Sequence, residues 1–258
     1  GALNLGSASG LLFEDGFSLT GSGTSGAAPV SFITTGTEAD FLISGSNLSF
    51  SQSSRIVGGS IVTVDNAGLY VQNSVGSDKG ELLIDAGVSI TMTSPDIRSN
   101  GSSGADAGTI LLTAPSVFID QGYISADNSS GAGLAGVVEI VADQIAVSST
   151  TISANAVGEG SAGTVSLLGG LVTLDLSYFY TRSFSDTGDG GSISITSTGD
   201  INILGTTLAS EVISSTATGD SGDVTLSATG SITIADSGER SSFVQSTVEG
   251  IGSAGRSE

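Results

Sequence analysis

The side chains able to carry charge or move protons are few in kind. There are 26 Asp and Glu, 6 Lys and Arg, no His and no Cys. The cations are Arg55, Lys79, Arg98, Arg182, Arg240 and Arg256. Without His or Cys there is no imidazole base, thiol nucleophile, disulfide framework or thiolate metal site. Acid and base chemistry would therefore rest on carboxylates, and two close pairs stand out: Asp186 with Asp189, and Asp220 with Asp223. Carboxylates paired across neighbouring segments are the machinery of glycoside hydrolysis. Both pairs sit among glycines, however, where short Asp side chains ordinarily accept hydrogen bonds from turn amides. A lyase would need cations gathered beside a base, and the six cations are scattered in sequence with differing offsets. No catalytic residue is assigned.

Asp106, Asp189 and Asp220 occupy about the same Gly-rich position in successive segments, where carboxylates and carbonyls could converge on calcium. The pattern lapses near Leu134 and Ser161 and lacks the Gly-Gly-x-Gly-x-Asp nonapeptide of calcium-dependent rolls. No metal ligand or cofactor is assigned, and calcium is the one ion for which these corners leave room. A formal charge of −20 with no basic stretch excludes phosphate neutralisation, so nucleic acid is not an expected partner. No apolar run approaches the roughly 20 residues that span a bilayer. Nor does a basic-then-apolar leader open the chain at Gly1, so that if the protein is exported its signal is expected outside these residues or already removed.

The elements that would position these side chains follow from composition and period. With 39 Gly, 3 Pro, 5% aromatics and many Val, Ile, Leu, Ser and Thr, the chain reads as short strands separated by turns. From Gly80 onward one pattern recurs, its units beginning at Gly80, Gly108, Gly136, Gly163, Gly191 and Gly222, with spacings of 28, 28, 27, 28 and 31. Each glycine precedes an alternating run with apolar second and fourth residues: Leu82/Ile84, Ile110/Leu112, Val138/Ile140, Val165/Leu167, Ile193/Ile195 and Val224/Leu226. A second run supplies Val88/Ile90, Val117/Ile119, Ile145/Val147, Val172/Leu174, Ile201/Ile203 and Ile232/Ile234. A third position holds Ile97, Ile124, Ile152, Phe179 and Leu208, with Phe243 as its last member. A sandwich or barrel also uses many short strands, but does not require the same column at the same offset. The spacing predicts an all-β, right-handed parallel β-helix with three short strands per coil and a rod about 40 Å long. The Gly-rich segments 102–108, 130–136, 158–163, 187–191 and 218–222 fall at one corner, where glycine is expected to supply positive φ.

Tyr123, Thr151 and Tyr178 lie fifteen residues after their unit glycines and are expected to point outward in one column, with Tyr180 nearby. Rings in such a row can stack on sugars or pack against another chain. The stretch Ser177 to Asp186, which also holds Arg182, is where a shallow recognition site is expected.

Residues 1–79 keep the alternation, in Leu11–Phe13, Phe17–Leu19, Val30–Phe32, Phe41–Ile43, Leu48–Phe50 and Ile61–Val64, with irregular corners. Here Ile43-Ser-Gly-Ser-Asn-Leu-Ser-Phe50, Ile56-Val-Gly-Gly-Ser-Ile-Val-Thr-Val64, Ala67-Gly-Leu69 and Lys79-Gly-Glu-Leu82 resemble filamentous haemagglutinin-like two-partner-secretion exoproteins. Ser9-Gly-Leu-Leu-Phe13 is similar to a strand near the end of that family's secretion domain. Ala107-Gly-Thr-Ile110, Ala162-Gly-Thr-Val165 and Ser221-Gly-Asp-Val224 look like its shaft repeat. The resemblance implies the end of a secretion domain at 1–79 and a regular shaft at 80–258. It also implies an extracellular or cell-surface fibre of a Gram-negative bacterium, exported through an outer-membrane pore partner for adhesion, aggregation or matrix building. The expected function is a non-enzymatic rod, facing a host-cell, matrix or glycan surface. The alternatives are a filament subunit that associates with itself end to end, and a glycan-processing β-helix enzyme.

Overall fold

A computed structural model describes residues 3–14, 18–21, 30–50, 53–73 and 79–257, which form 25 strands and no helix. Phe17, one of the alternating residues, lies outside them. Each strand pairs in parallel with its counterpart one coil ahead, and the counterparts form three walls. The first wall runs from Leu3–Ser7 to Val224–Ala228, the second from Leu11–Phe13 to Ile232–Ala235, and the third from Ser18–Gly21 to Phe243–Val248. In two coils the strands Val137–Ser148 and Thr164–Asp175 pass straight through the corner between the first two walls, which join as one sheet. The result is a parallel β-helix of nine coils stacked through eight pairings, about 40 Å long at about 4.8 Å per step. Pairing continues from 54–58 into 81–86, with Ile56 opposite Ile84.

The anticipated columns form the core. Leu82, Ile110, Val138, Val165, Ile193 and Val224 stack on the first wall with no exposure, and Ile97, Ile124, Ile152, Phe179 and Leu208 do so on the third. In the first coils the filling is aromatic: Phe13, Phe32, Phe41 and Phe50 are buried, with ring centroids 5.4 to 6.1 Å apart.

Three assignments are corrected. Val88 is 50% exposed, and the buried pair in its coil is Ile90 with Met92, opposite Val117 and Ile119. One extra residue at the Ala86–Gly87 corner shifts the register, and alternation cannot tell Val88 from Met92. Phe243 pairs with Thr207 and points outward, while Val244 continues the column above Leu208. Ile232 and Ile234 keep their register with Ile201 and Ile203, yet are 44% and 47% exposed because no described coil covers them.

The corners obey two different rules. Between the second and third walls one residue per coil is left-handed: Gly45, Asn66, Ser94, Gln121, Ser149, Leu176 and Gly205, with φ between 45° and 57°. Within the Gly-rich segments the expected positive φ is found at Gly104 (86°) and Gly131 (81°), but not at the unit glycines. Instead they stack so closely that a Cβ on Gly108, Gly136, Gly163 or Gly191 would lie 1.7 to 1.8 Å from the carbonyl oxygen of the glycine below. Their amides close each coil by crossing to the third wall, as in Gly136 N–H to Ala126 O at 2.7 Å.

Candidate functional site

The third wall's outer surface carries three columns of side chains. The first contains Asp96, Tyr123, Thr151, Tyr178, Thr207 and Phe243, confirming the alignment of Tyr123, Thr151 and Tyr178. The second contains Tyr70, Arg98, Ser125, Ser153, Tyr180, Ala209 and Gln245, of which Ser125, Ser153 and Ala209 are buried beneath their neighbours. The third runs through Asn100, Asp127, Asn155, Arg182 and Glu211. All four tyrosines of the chain lie on this one surface.

The third column is a hydrogen-bonded ladder. Asn100 Oδ1 accepts from the Asp127 amide at 2.9 Å, Asp127 Oδ1 from the Asn155 amide at 2.6 Å, and Asn155 Oδ1 from the Arg182 amide at 2.8 Å. The second oxygen of Asp127 accepts from the Tyr123 hydroxyl at 3.1 Å and Ser153 Oγ at 3.0 Å. Burial outweighs these donors and pushes the Asp127 carboxyl above the usual carboxylate range.

Three of the five arginines gather here, which their differing sequence offsets concealed. Arg98 makes a two-pronged pair with Asp96 at 2.6 and 3.0 Å and lies 5.1 Å from the Tyr123 ring centre. Its hydrogen bond to Asp96 raises its pKa further. Arg182 pairs with Glu211 and covers Tyr180 at 3.5 Å, while Gln245 also donates to Glu211. Arg240, from the connection before Phe243–Val248, covers Tyr178 at 4.0 Å and donates to the Ser177 and Gly205 carbonyls. Tyr178 and Tyr180 stack on each other at 5.5 Å. Burial raises the pKa values of Tyr70, Tyr123 and Tyr180, so their hydroxyls remain protonated donors. Beside Tyr70 and Arg98 a groove of about 560 Å³ is lined by Ser49, Gln72, Asn73 and Asn100. The surface thus offers flat rings, planar charged pairs and amides, the chemistry of hydroxyl and C–H recognition.

The acidic corners are organised differently. Asp106 Oδ1 accepts from the Leu134 amide at 2.7 Å, Asp189 Oδ1 from the Asp220 amide at 3.0 Å, and Asp220 Oδ1 from the Ser253 amide at 2.6 Å. Asp223 Oδ1 likewise accepts from the Arg256 amide at 2.8 Å. Asp186 takes the Ser214 and Thr216 hydroxyls, which lower its pKa. These carboxylates tie each coil to the next. Among the described residues no three acidic side chains converge on a point that could hold a metal ion.

Sequence reasoning placed Tyr123, Thr151, Tyr178 and Tyr180 on this surface but missed Tyr70, Asp96, Arg98, Arg240 and Phe243. Tyr70 has no unit glycine before it from which to count, and Arg240 reaches the face from a connection. Comparison with known proteins gives no further identity: no family model, no curated protein and no solved structure matches the chain.

Proposed function

We propose that this chain is part of a non-enzymatic rod, the shaft of a secreted or surface-held adhesin or extracellular fibre of a Gram-negative bacterium. In this reading it is exported through an outer-membrane pore partner. The observation that carries the mechanical part is the unbroken stack of nine coils around one apolar core. Such a stack is stiff, because each coil is bonded to its neighbours along all three walls. Its length grows with coil number without a new fold, which suits reach and display. The export route and the surface location rest on the resemblance of Ile43–Phe50, Ile56–Val64 and the Ala-Gly-Thr repeats to filamentous haemagglutinin-like exoproteins.

Electron microscopy of the purified protein tests the reading: discrete rods about 40 Å long support a shaft segment, and globular or aggregated particles sink it. Incubation with plant, bacterial and host polysaccharides should release no reducing ends or unsaturated products, and either product would return the enzyme alternative.

A second reading is a filament subunit that associates with itself end to end, through the strand edges that the end of any stack of parallel coils presents. Long uniform filaments in the same micrographs would favour it.

A further inference from the structure

We infer that the third wall binds a neutral, extended polysaccharide of equatorially linked sugars, lying parallel to the rod axis. This deepens the adhesive reading above and rests on it. The decisive observation is a period. Aromatic rings occur in the third coil at Tyr70, the fifth at Tyr123, the seventh at Tyr178 and Tyr180, and the ninth at Phe243. The even coils between them carry Asp96 with Arg98, then Thr151 with Ser153, then Thr207 with Ala209. Two coils make a step of about 9.6 Å along the axis. In an equatorially linked pyranose chain each ring is turned over relative to its neighbour, so the same ring face returns at every second sugar, over nearly that distance. A ligand of this kind meets one aromatic rung per disaccharide.

The remaining chemistry selects a neutral chain. The protein carries −20 and would repel a polyanion. Arg98 is held by Asp96 and Arg182 by Glu211, so neither guanidinium is left uncompensated for a sulfate or carboxylate. The Tyr70, Tyr123 and Tyr178–Tyr180 rungs each lie beside a guanidinium, at 3.5 to 6.0 Å, and Phe243 stands without one at 53% exposure, so that ring edges and guanidinium planes together support sugar C–H groups. Asp96, taken by Arg98 and Tyr70, and Glu211, taken by Arg182 and Gln245, fix those donors beside the rungs, where the remaining N–H groups of the arginines can bond sugar hydroxyls.

The test is calorimetric titration of the intact protein with cellobiose, cellotetraose and cellohexaose, and with maltohexaose and polygalacturonate as the bent and acidic comparisons. Affinity should rise with each added disaccharide in the first series and stay weak for the other two. Tyr123→Thr copies the residue already present at Thr151 in the same column and should weaken cellohexaose binding roughly tenfold. Phe118→Ala removes a 41% exposed ring from the second wall and should leave binding unchanged. Absence of cellohexaose binding, equal binding of maltohexaose or polygalacturonate, or equal loss in both variants would overturn the inference. Rods seen in micrographs with no glycan bound would overturn it alone and leave the shaft reading standing. Loss of the rods themselves would remove both.

Discussion

Replacing Gly136 by Ala separates two explanations of why glycine recurs at every unit start. A Cβ there would sit 1.8 Å from Gly108 O, where contacts below 3.0 Å are not tolerated, so the coils must part by about 1.2 Å. That is a quarter of the spacing of about 4.8 Å. Parting breaks the bond from Val137 N–H to Gly108 O, now 3.1 Å, and disturbs that from Gly136 N–H to Ala126 O, now 2.7 Å. At about 1–3 kcal/mol for each buried backbone group left unpaired, the cost is roughly 2–6 kcal/mol. Gly104→Ala is the counterpart: its φ is +86° and nothing lies within 4 Å of the added carbon. It should cost about 1–2 kcal/mol for left-handed strain, offset by about 0.4–1 kcal/mol from a less flexible unfolded chain. Urea titrations followed by circular dichroism measure both. If Gly104→Ala proves as damaging as Gly136→Ala, close stacking of carbonyl on Cα is not what selects these glycines.

Ile140→Ala, between Leu112 and Leu167 with no exposure, should lose about 2–5 kcal/mol, whereas Ile234→Ala at 47% exposure should lose less than half of that; equal losses by calorimetry would mean the last coil is covered in solution. Leu176 is held at φ 48°, in the column where Asn66 sits at 45°, so Leu176→Asn should gain about 1 kcal/mol and raise the melting temperature. Asp127 has a raised folded-state pKa, so its favourable contribution is present below the unfolded carboxylate value of about 3.9 and is lost as pH rises through the folded value. Asp127→Asn, which restores the Asn of the neighbouring rungs Asn100 and Asn155, should therefore melt higher than the parent at neutral pH; the gap should close towards pH 3, and a gap that widens on acidification would refute the assignment.

The repeat was legible because the interior repeats. A parallel coil stacks like on like, so Ile110 above Leu82 and Val138 above Ile110 leave a visible period. Legibility failed where a column is kept by register rather than by residue type. Met92 is equivalent to Ile119, and Val244 to Leu208, but each follows a corner of altered length that alternation alone cannot count. The reason for the unit glycines was also hidden, since proximity to the next coil's carbonyl is a long-range fact and positive φ a local one. The outer face was half visible. Tyr123 and Tyr178 share an offset from their unit glycines, whereas the arginines beside them converge only through stacking.

The contrast between the walls gives the third one its meaning. Pairing and core columns fix the inward residues, while outward positions affect little but their immediate neighbours. On the first wall one such outward column reads Leu83, Leu111, Glu139, Ser166, Ser194 and Thr225, with no alternation and no aromatic ring. On the third wall the columns are filled by every tyrosine of the chain, three arginines and a ladder of Asn and Asp. The core asks for none of these, and the ladder alone could be built from Asn. A solenoid distributes its surface along one axis in steps of about 4.8 Å. A binding face written in that medium is long and shallow, each rung adding a little, so the ligand suited to it must itself repeat. Affinity would then come from the number of rungs engaged at once, the same quantity that sets the length of the rod.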